Sequence, residues 1–317
     1  MSQKDPIKII RLILSLFILI TNISCAANAN SDFVVTTITQ NVYSIVSPSK
    51  GLPTPENKGW NSNIHFVVTG KGVLLFDTGS SESIGNKIKK AIKTVTNQPV
   101  RWIINSHSHA DHWLGNAAFN ETAVEIIASN KAHITMKKYG EEDVELYSQV
   151  TKGTIGSTKL MFPTVLLNQE QKRKFGEIDV EFIFSNDGHS PGDLLMWLPK
   201  QKIIFGGDVL SSDWMPMITD YKNVPNLVST LYSIANLSPT IVLTGHGKAT
   251  TIESVMRDAD LLSIVWKQVK SDFEKGKNSN ETLEDIKAKL EPKYKFLYKD
   301  FSSEIERHVN LMYKLQQ

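Results

Sequence analysis

Five of the eight histidines in this sequence stand in three tight contexts, and the densest of these is Ser106-His107-Ser108-His109-Ala110-Asp111-His112. It follows the apolar run Trp102-Ile103-Ile104. In an extended segment residues two apart point to one side, so His107 and His109 face together, with Asp111 and His112 at the turn that starts the next segment. Zinc accepts imidazole nitrogen at about 2.0–2.1 Å and carboxylate oxygen at about 2.0–2.2 Å, and four such groups within six residues can contact two ions from one loop. The lone cysteine, Cys25, lies in the N-terminal segment. No thiolate therefore remains for a metal, and any metal must be held by histidine and carboxylate.

Three further turns carry groups of the same kind. Asp187-Gly188-His189-Ser190-Pro191-Gly192-Asp193 follows the apolar stretch Val180 to Ser185, Phe205-Gly206-Gly207-Asp208 ends another, and Leu243-Thr244-Gly245-His246-Gly247 ends a third. Glycine beside each group lets the backbone approach a site closely. Taken singly, a histidine or aspartate in such a turn is a solvated or capping group. Together with the first context they converge on one chemistry. The remaining histidines read differently: His65 in Asn63-Ile-His-Phe-Val-Val is a structural or pocket-edge residue, while His133 and His308 on predicted helices are ordinary surface groups.

These turns need elements to position them. Short β-branched runs at Phe33 to Gln40, Val42 to Val46, Asn63 to Val68 and Val73 to Asp77 predict an antiparallel meander. Helical spacing from Ser81 to Thr94 leads to a buried strand, Val100 to Asn105, and such a β-helix-β step argues for α/β layering. A strand at Val124 to Ala128 and a helix from Asn130 to about Gln149 follow. Strands are predicted near Val165 and at Val180 to Ser185, Leu194 to Leu198, Lys202 to Phe205 and Thr240 to Leu243, with a helix at Asn226 to Ala235. From Thr251 the pattern is wholly helical: Glu253 to Lys275, Thr282 to Leu290 and Tyr294 to Leu315. Two similar halves, roughly 33–128 and 163–250, packed sheet to sheet with helices outside would make a four-layer αββα sandwich. The Gly- and Pro-rich loop 48–60 is a candidate flap with Trp60 as its apolar contact.

The chain has 317 residues, 41% of them hydrophobic, and its 35 Lys+Arg nearly balance 33 Asp+Glu. Such a composition excludes low-complexity, collagenous and disulfide-stapled classes. At the N-terminus Lys4, Lys8 and Arg11 precede the apolar run Leu12 to Ile20, and small residues follow from Ser24 to Ala29, the pattern of a secretory signal peptide over residues 1–27. That run is roughly half the ~20 residues a spanning helix needs, so no stable membrane span is expected. Lipidation of Cys25 is the rival reading, and Asn22, where a lipobox prefers leucine, argues against it. Lys4, Lys8 and Arg11 against Asp5 account for the whole net charge of +2, which leaves the remainder formally neutral. A nucleic-acid footprint is not supported. The expected organisation is a signal peptide over 1–27, a catalytic domain over 28–250 and a C-terminal helical extension over 251–317 packed on it, in a periplasmic or secreted protein.

His107-x-His109-x-Asp111-His112, Gly188-His189-Ser190-Pro191, Gly207-Asp208 and Gly245-His246-Gly247, preceded by Phe76-Asp77-Thr78-Gly79, resemble the ordered motifs of the metallo-β-lactamase superfamily. The resemblance spans about residues 35–250. It implies an αββα sandwich with a dinuclear zinc hydrolase site at the sheet edge. By the same resemblance His107, His109 and His189 match the ligands of one zinc, Asp111, His112 and His246 those of a second, and Asp208 a carboxylate that bridges both. Two dications about 3.5–4 Å apart lower the pKa of a shared water from 15.7 towards about 7, so hydroxide exists at neutral pH without a general base. Asp111 would ligate and also orient that metal-bound hydroxide, as the catalytic side chain, and Asp77 would order the ligand loop from behind.

Gly188-His-Ser-Pro-Gly-Asp-Leu-Leu-Met-Trp-Leu-Pro199 and Phe205-Gly-Gly-Asp208 look most like secreted β-lactamases. Those carry a cysteine where Asp208 stands, and a lysine that binds the drug's carboxylate where this chain has Ser211. The aspartate-bridged pattern is also similar to glyoxalase II and related thioester hydrolases. The expectation is a zinc-dependent hydrolase of a small-molecule carbonyl substrate, β-lactamase-like, with thioester or other ester hydrolysis as the alternative. A non-catalytic metal-binding protein is the third reading, and the complete ligand set argues against it. Trp60, Ser211 and Trp214 are the expected substrate-pocket residues.

Overall fold

The computed structural model describes residues 33–317 apart from 49, 50, 52, 122, 186 and 220–222, and the segment read as a signal peptide, with Cys25, lies outside the described residues. Residues 33–317 form one compact unit. Its first sheet has seven strands in sequence order: β1 (Val35–Thr39), β2 (Val42–Ile45), β3 (Ile64–Val68), β4 (Val73–Phe76), β5 (Val100–Ile104), β6 (Glu125–Ser129) and β7 (Val165–Leu167). The second has five, in the order β12 (Ile241–Leu243), β11 (Ile203–Phe205), β10 (Leu194–Leu198), β9 (Ile178–Phe184) and β8 (Gln171–Phe175). Pairing is antiparallel from β1 to β4 and parallel from β4 to β7; β8 to β11 are antiparallel and β12 joins β11 in parallel.

Strand periodicity produces the layers. Leu74 and Phe76 of β4, Ile104 of β5, Leu194, Met196 and Leu198 of β10, and Ile203 and Phe205 of β11 point into one cluster between the sheets. The alternate residues Val73, Leu75 and Ile103 point the other way, against Ile84, Ile88, Ala91 and Ile92 of α1 (Glu82–Lys93). Leu195, Trp197 and Ile204 likewise turn outward, against helices α4 (Val224–Asn236) and α5 (Ile252–Glu274). A strand buried on both faces must read as a continuous apolar run, as Val73-Leu-Leu-Phe76 and Leu194-Leu-Met-Trp-Leu198 do. The result is helix, sheet, sheet, helix, the layering expected from the sequence. Between β5 and β7 lie the short α2 (Ala110–Trp113) and the long α3 (Asn130–Val150).

The C-terminal helices join the same outer core. α6 (Ser279–Tyr294) starts at an Asn278 capping box closed by Glu281, and α7 (Phe301–Lys314) buries Phe301, Ile305, Val309 and Met312 in the cluster shared with α4 and α5. Three expectations change here. Gln171–Phe175 is a strand although Gln171-Lys-Arg-Lys carries no apolar alternation; it is the edge of its sheet, where lysines discourage pairing with another chain. The single helix expected over Tyr294 to Leu315 is broken between Lys295 and Asp300. His308 is not a surface group: it is fully buried, and its Nε2 donates to the carbonyl of Pro216 at 3.2 Å. It stands three residues beyond Ile305, inside the apolar stripe of α7, a placement that mixed charges on the helix obscure.

Burial pushes the His308 imidazole down to about 4 from an ordinary 6.5, against the pull of Glu304. A depressed histidine is neutral in the folded chain, so its contribution is whole above pH 6.5 and erodes as the pH falls towards 4, by about 2 kcal/mol at pH 5. His308→Gln keeps a donor for Pro216 and removes the titration. Urea unfolding at pH 7.5 and pH 5 should therefore show a smaller loss of stability for the variant than for the parent; equal losses would sink this account.

Candidate metal centre

Parallel strands present their C-terminal ends to one edge, and that edge is where the chemistry-bearing turns collect. β4 ends on Asp77, β5 on the His107–His112 loop, β11 on Asp208 and β12 on His246, while His189 lies in the turn between β9 and β10. The two sheets are tied together there. Asn63 donates its backbone N–H to Gly245 and its side chain to Thr244 and Gly247. Leu194 N–H donates to Ser106 at 2.7 Å, and within the second sheet Gly245 N–H donates to Gly207 at 2.7 Å. His65 belongs to this tie: its Nε2 donates to the Thr244 carbonyl at 3.0 Å and its Nδ1 meets Ser44 Oγ at 2.7 Å, a structural role. Gly245 is required by approach, since a Cβ there would stand 2.0 Å from Asp208 Oδ1.

The seven residues come together in two groups, His107, His109, His189 and Asp208 in one and Asp111, His112 and His246 in the other, with ligand atoms in each within 4.8 Å of one another. His109 Nδ1 lies 3.0 Å from His107 Nε2 and 3.1 Å from His189 Nε2. In the second group Asp111 Oδ2 is 3.5 Å from the Nε2 atoms of both His112 and His246. Asp208 spans the two, with Oδ2 3.9 Å from His107, 3.7 Å from His189 and 3.3 Å from His246, and Oδ1 3.4 Å from His112. Ligands about 2.0–2.1 Å from a common tetrahedral centre are about 3.3–3.4 Å apart, so this spacing suits one small cation per group.

Hydrogen bonds at the far ring nitrogens decide which atom each imidazole offers. His189 Nδ1 donates to the Met217 carbonyl and His246 Nδ1 to the Asn61 carbonyl, both at 2.7 Å. His112 Nδ1 meets Asp77 Oδ2 at 2.8 Å, and His107 Nδ1 meets Ser106 Oγ at 2.9 Å. With the proton held at Nδ1, the Nε2 lone pairs of His189 and His246 are left to face the centre. His112 Nε2 and Asp208 Oδ1 are buried and have no hydrogen-bond partner among the described residues. Such orphaned buried atoms, aimed at one another, are the donor set a cation would satisfy.

Charge makes the same demand. Burial, with neighbouring His112 and His109, holds His107 well below its usual range, and burial with His189 takes His109 down to about 4. Burial opposes charge on His112 too, yet Asp111, Asp208 and Asp77 around it raise it to about 10. Burial would also raise Asp208, but His246, His112 and His107 hold it well below the carboxylate range. His107 and His109 are thus kept neutral, with lone pairs to offer a metal, while the carboxylates of Asp111, Asp208 and Asp77 gathered around His112 favour positive charge there.

Above the groups lies a cavity of about 810 Å³. One wall is a stripe of α3, Thr135, Tyr139, Asp143 and Tyr147, four residues apart and therefore on one face. Burial, then the charge of Asp111, raises Asp143 to about 6, and the Tyr147 hydroxyl bonds with Asn61 and Asp111. The stripe was missed in the sequence, where only its four-residue spacing could have shown it. Asn61, which donates to Asp111 Oδ2 at 2.8 Å, carries no sequence signal. The other wall includes Trp214, Met217 and Thr219 with Asp300, Glu304 and Arg307 from the C-terminal region. Trp214 lines the cavity on this side. Ser211 borders only a narrow crevice beside Asp208 and His246. Trp60 does not line the cavity: its ring packs edge-on against Phe33 at 4.0 Å and its Nε1 donates to Ser62, and Gly51 is what the 48–60 loop contributes.

A family model described as the metallo-β-lactamase superfamily matches residues 57–246. The chain belongs to the metallo-β-lactamase superfamily. Within it, a type 2 metallo-β-lactamase of Bacillus sp. (strain 170) is 24% identical over 211 residues, which is 63% of this chain and 72% of that one. A linear primary-alkylsulfatase of Pseudomonas sp. (strain ATCC 19151) is 19% identical over 262 residues, 68% of this chain and 48% of that one. Among solved structures, a metallo-β-lactamase from Pontibacter korlensis superimposes with a TM-score of 0.59 at 20% identity, covering 73% of this chain and 99% of that one. The sec-alkylsulfatase Pisa1 from Pseudomonas sp. reaches 0.67 at 14% identity, covering 89% of this chain and 50% of that one. At these identities the superpositions speak for the fold. The protein is a hydrolase of this superfamily with metal-binding His/Asp clusters.

Asp77 offers a test of how the centre is held. It is buried, with Oδ1 accepting from Ser106 N–H at 2.7 Å and Oδ2 meeting both Ser106 Oγ and His112 Nδ1 at 2.8 Å. Asp77→Asn replaces an acceptor by an amide donor facing the His112 ring. Metal affinity, measured by competition with a chromophoric chelator, should fall about 10- to 100-fold. Unchanged affinity would mean that Asp77 serves only the backbone turn.

Proposed function

We propose that the chain is an exported dizinc hydrolase of a small carbonyl substrate, a β-lactam first among them, with thioester or other ester hydrolysis as the alternative. The observation that carries the reading is the floor of the cavity, where Asp111, Asp208 and His246 of the two ligand groups face a space large enough for a small-molecule ligand. His107, His109 and His189 would hold one cation, Asp111, His112 and His246 the other, with Asp208 between them. When bound, two zinc ions supply Lewis acidity for the carbonyl and a water ionised near neutral pH. Asn61 and Tyr147 fix the Asp111 carboxylate, which leaves it placed to orient the attacking water. Trp214, Met217 and Tyr139 give the apolar walls that exclude bulk solvent. A scaffold that only stored metal would need no such cavity.

A second reading, hydrolysis of an alkyl sulfate ester, is favoured by the superposition on Pisa1, which covers more of this chain than the Pontibacter β-lactamase does. One experiment separates the readings. The purified mature protein is assayed against penicillin, carbapenem, thioester, lactone and alkyl sulfate substrates, with chelator controls and elemental analysis. About two zinc per chain, with β-lactam turnover abolished by chelator, is the expected result. Turnover of a thioester or a sulfate ester alone would replace the substrate assignment, and chelator-insensitive activity would overturn the dizinc reading. His109→Ala should remove most activity because it deletes a ligand without a substitute, whereas His133→Ala, on the half-exposed side of α3, should do little.

Export rests on the basic-then-apolar N-terminus. Intact mass of the protein recovered from the periplasm or medium should correspond to a start at Ala27, Asn28 or Asn30. A lipid-modified Cys25 start would show anchoring instead, and an uncleaved chain confined to the cytoplasm would refute export.

A further inference from the structure

The segment 212–219 runs between the metal centre and the C-terminal helices and is bonded to both. Towards the centre, the Met217 carbonyl accepts from His189 Nδ1 at 2.7 Å, and Thr219 Oγ1 donates to the His189 carbonyl. Away from it, Arg257 Nη2 of α5 donates to Ser212 O at 2.6 Å, and Lys299 N–H to Asp213 O at 2.8 Å. Asp300 Oδ1 accepts from Met215 N–H at 2.8 Å. His308 Nε2 donates to Pro216 O at 3.2 Å and Arg307 Nη2 to Ile218 O at 3.3 Å. The Pro216 and Ile218 carbonyls thus turn to α7, while that of Met217, between them, turns to His189.

We infer that residues 212–219 are a strap through which the C-terminal extension positions His189, and that Arg307, His308 and Asp300 are positioning residues of the metal centre. Among the strap's bonds, these three come from the start and one side of α7, whose other residues Phe301, Ile305, Val309 and Met312 are set in the outer core. A rigid helix thus fixes the height of the Met217 carbonyl. That carbonyl fixes the tautomer and ring orientation of His189 and hence the direction of its Nε2 lone pair. His189 belongs to the His107, His109, His189 and Asp208 group, and the Asp111, His112 and His246 group does not contain it. The inference rests on the metal-binding reading of those groups.

The test is stepwise zinc affinity by chelator competition on the full mature chain, with the ligand-field spectrum of the cobalt-substituted protein as a second readout. Arg307→Ala should weaken one of two equivalents about tenfold and shift the cobalt bands, leaving the other equivalent within about twofold. Arg307→Lys, which keeps a cationic donor, should recover part of the loss. Asp300→Ala, which removes the carboxylate that accepts from the Met215 N–H, should act in the same direction and provides the reading if Arg307→Ala does not fold. Lys287→Ala removes the Lys287–Glu306 pair at 3.7 Å, which joins α6 to α7 without touching the strap, and should change neither affinity. Wild-type uptake of two zinc with both affinities unchanged in Arg307→Ala and Asp300→Ala would overturn the strap's role alone. So would an equal weakening of both equivalents in every variant, Lys287→Ala included. A wild-type chain that takes up no zinc would overturn the metal reading and the strap's role with it.

Discussion

Three carboxylates and five imidazoles share one almost fully buried edge of this molecule, and burying that many polar groups without compensation is among the most expensive things a fold can do. Part of the compensation is built into the chain. Asp77 is surrounded by donors, Asp111 is held by Asn61, and the far nitrogens of His189 and His246 are satisfied by backbone carbonyls. The rest is left facing inward, on His112 Nε2 and Asp208 Oδ1, 3.4 Å apart, where a bound cation would meet a nitrogen donor and a negative charge at the same point. The two sheets must therefore present their strand ends at one edge in a fixed relation. The Asn63 bonds to 244–247 and the Leu194 bond to Ser106 hold that relation across the gap between them.

Why this edge and no other follows from strand direction. β4 and β5 run parallel in one sheet and β11 and β12 in the other, so four carboxyl-terminal ends open on the same side. Glycine lets the turns lie close enough: with any Cβ at 245 the Asp208 carboxylate would be displaced from between the two histidine groups. The inter-sheet cluster beneath, from Phe76 to Phe205 and Leu243, is apolar up to the residue before each ligand turn. From the core residues Ile104, Phe205 and Leu243 the chain reaches its first ligand three positions on, at His107, Asp208 and His246.

The parts of this arrangement that the sequence made legible are those carried by short-range spacing. Val73-Leu-Leu-Phe-Asp77 and Ile103-Ile-Asn-Ser-His107 announce a buried strand followed by a polar turn, and the layering follows from their doubly apolar runs. What stayed hidden depends on long-range placement. The α3 stripe is a face of an ordinary amphipathic helix until the fold lays it over the metal groups. Asn61 is one asparagine in a polar loop until its amide meets Asp111, fifty residues away. Trp60 invited a functional reading because tryptophan in a loop needs a contact, and Phe33 supplies it. Charges flanking His308 on α7 conceal that its own position lies on the buried side.

The split between legible and hidden parts has a physical basis in what each has to do. Ligand geometry is set by the cation, whose short, directional bonds tolerate few residue types, so the centre is written in recurring local motifs. A substrate wall has only to exclude water and match a shape, and many side chains on many elements can do that. Here the walls come from α3, from the 212–219 segment and from helices beyond the stretch that matches the family, including Asp300, Glu304 and Arg307. The C-terminal helices thus act twice on one site, as cavity wall and as the support behind the strap that meets His189. Specificity and ligand orientation are then coupled through the same few residues, and a change made to reshape the wall at Arg307 is felt at the imidazole on the other side of the strap.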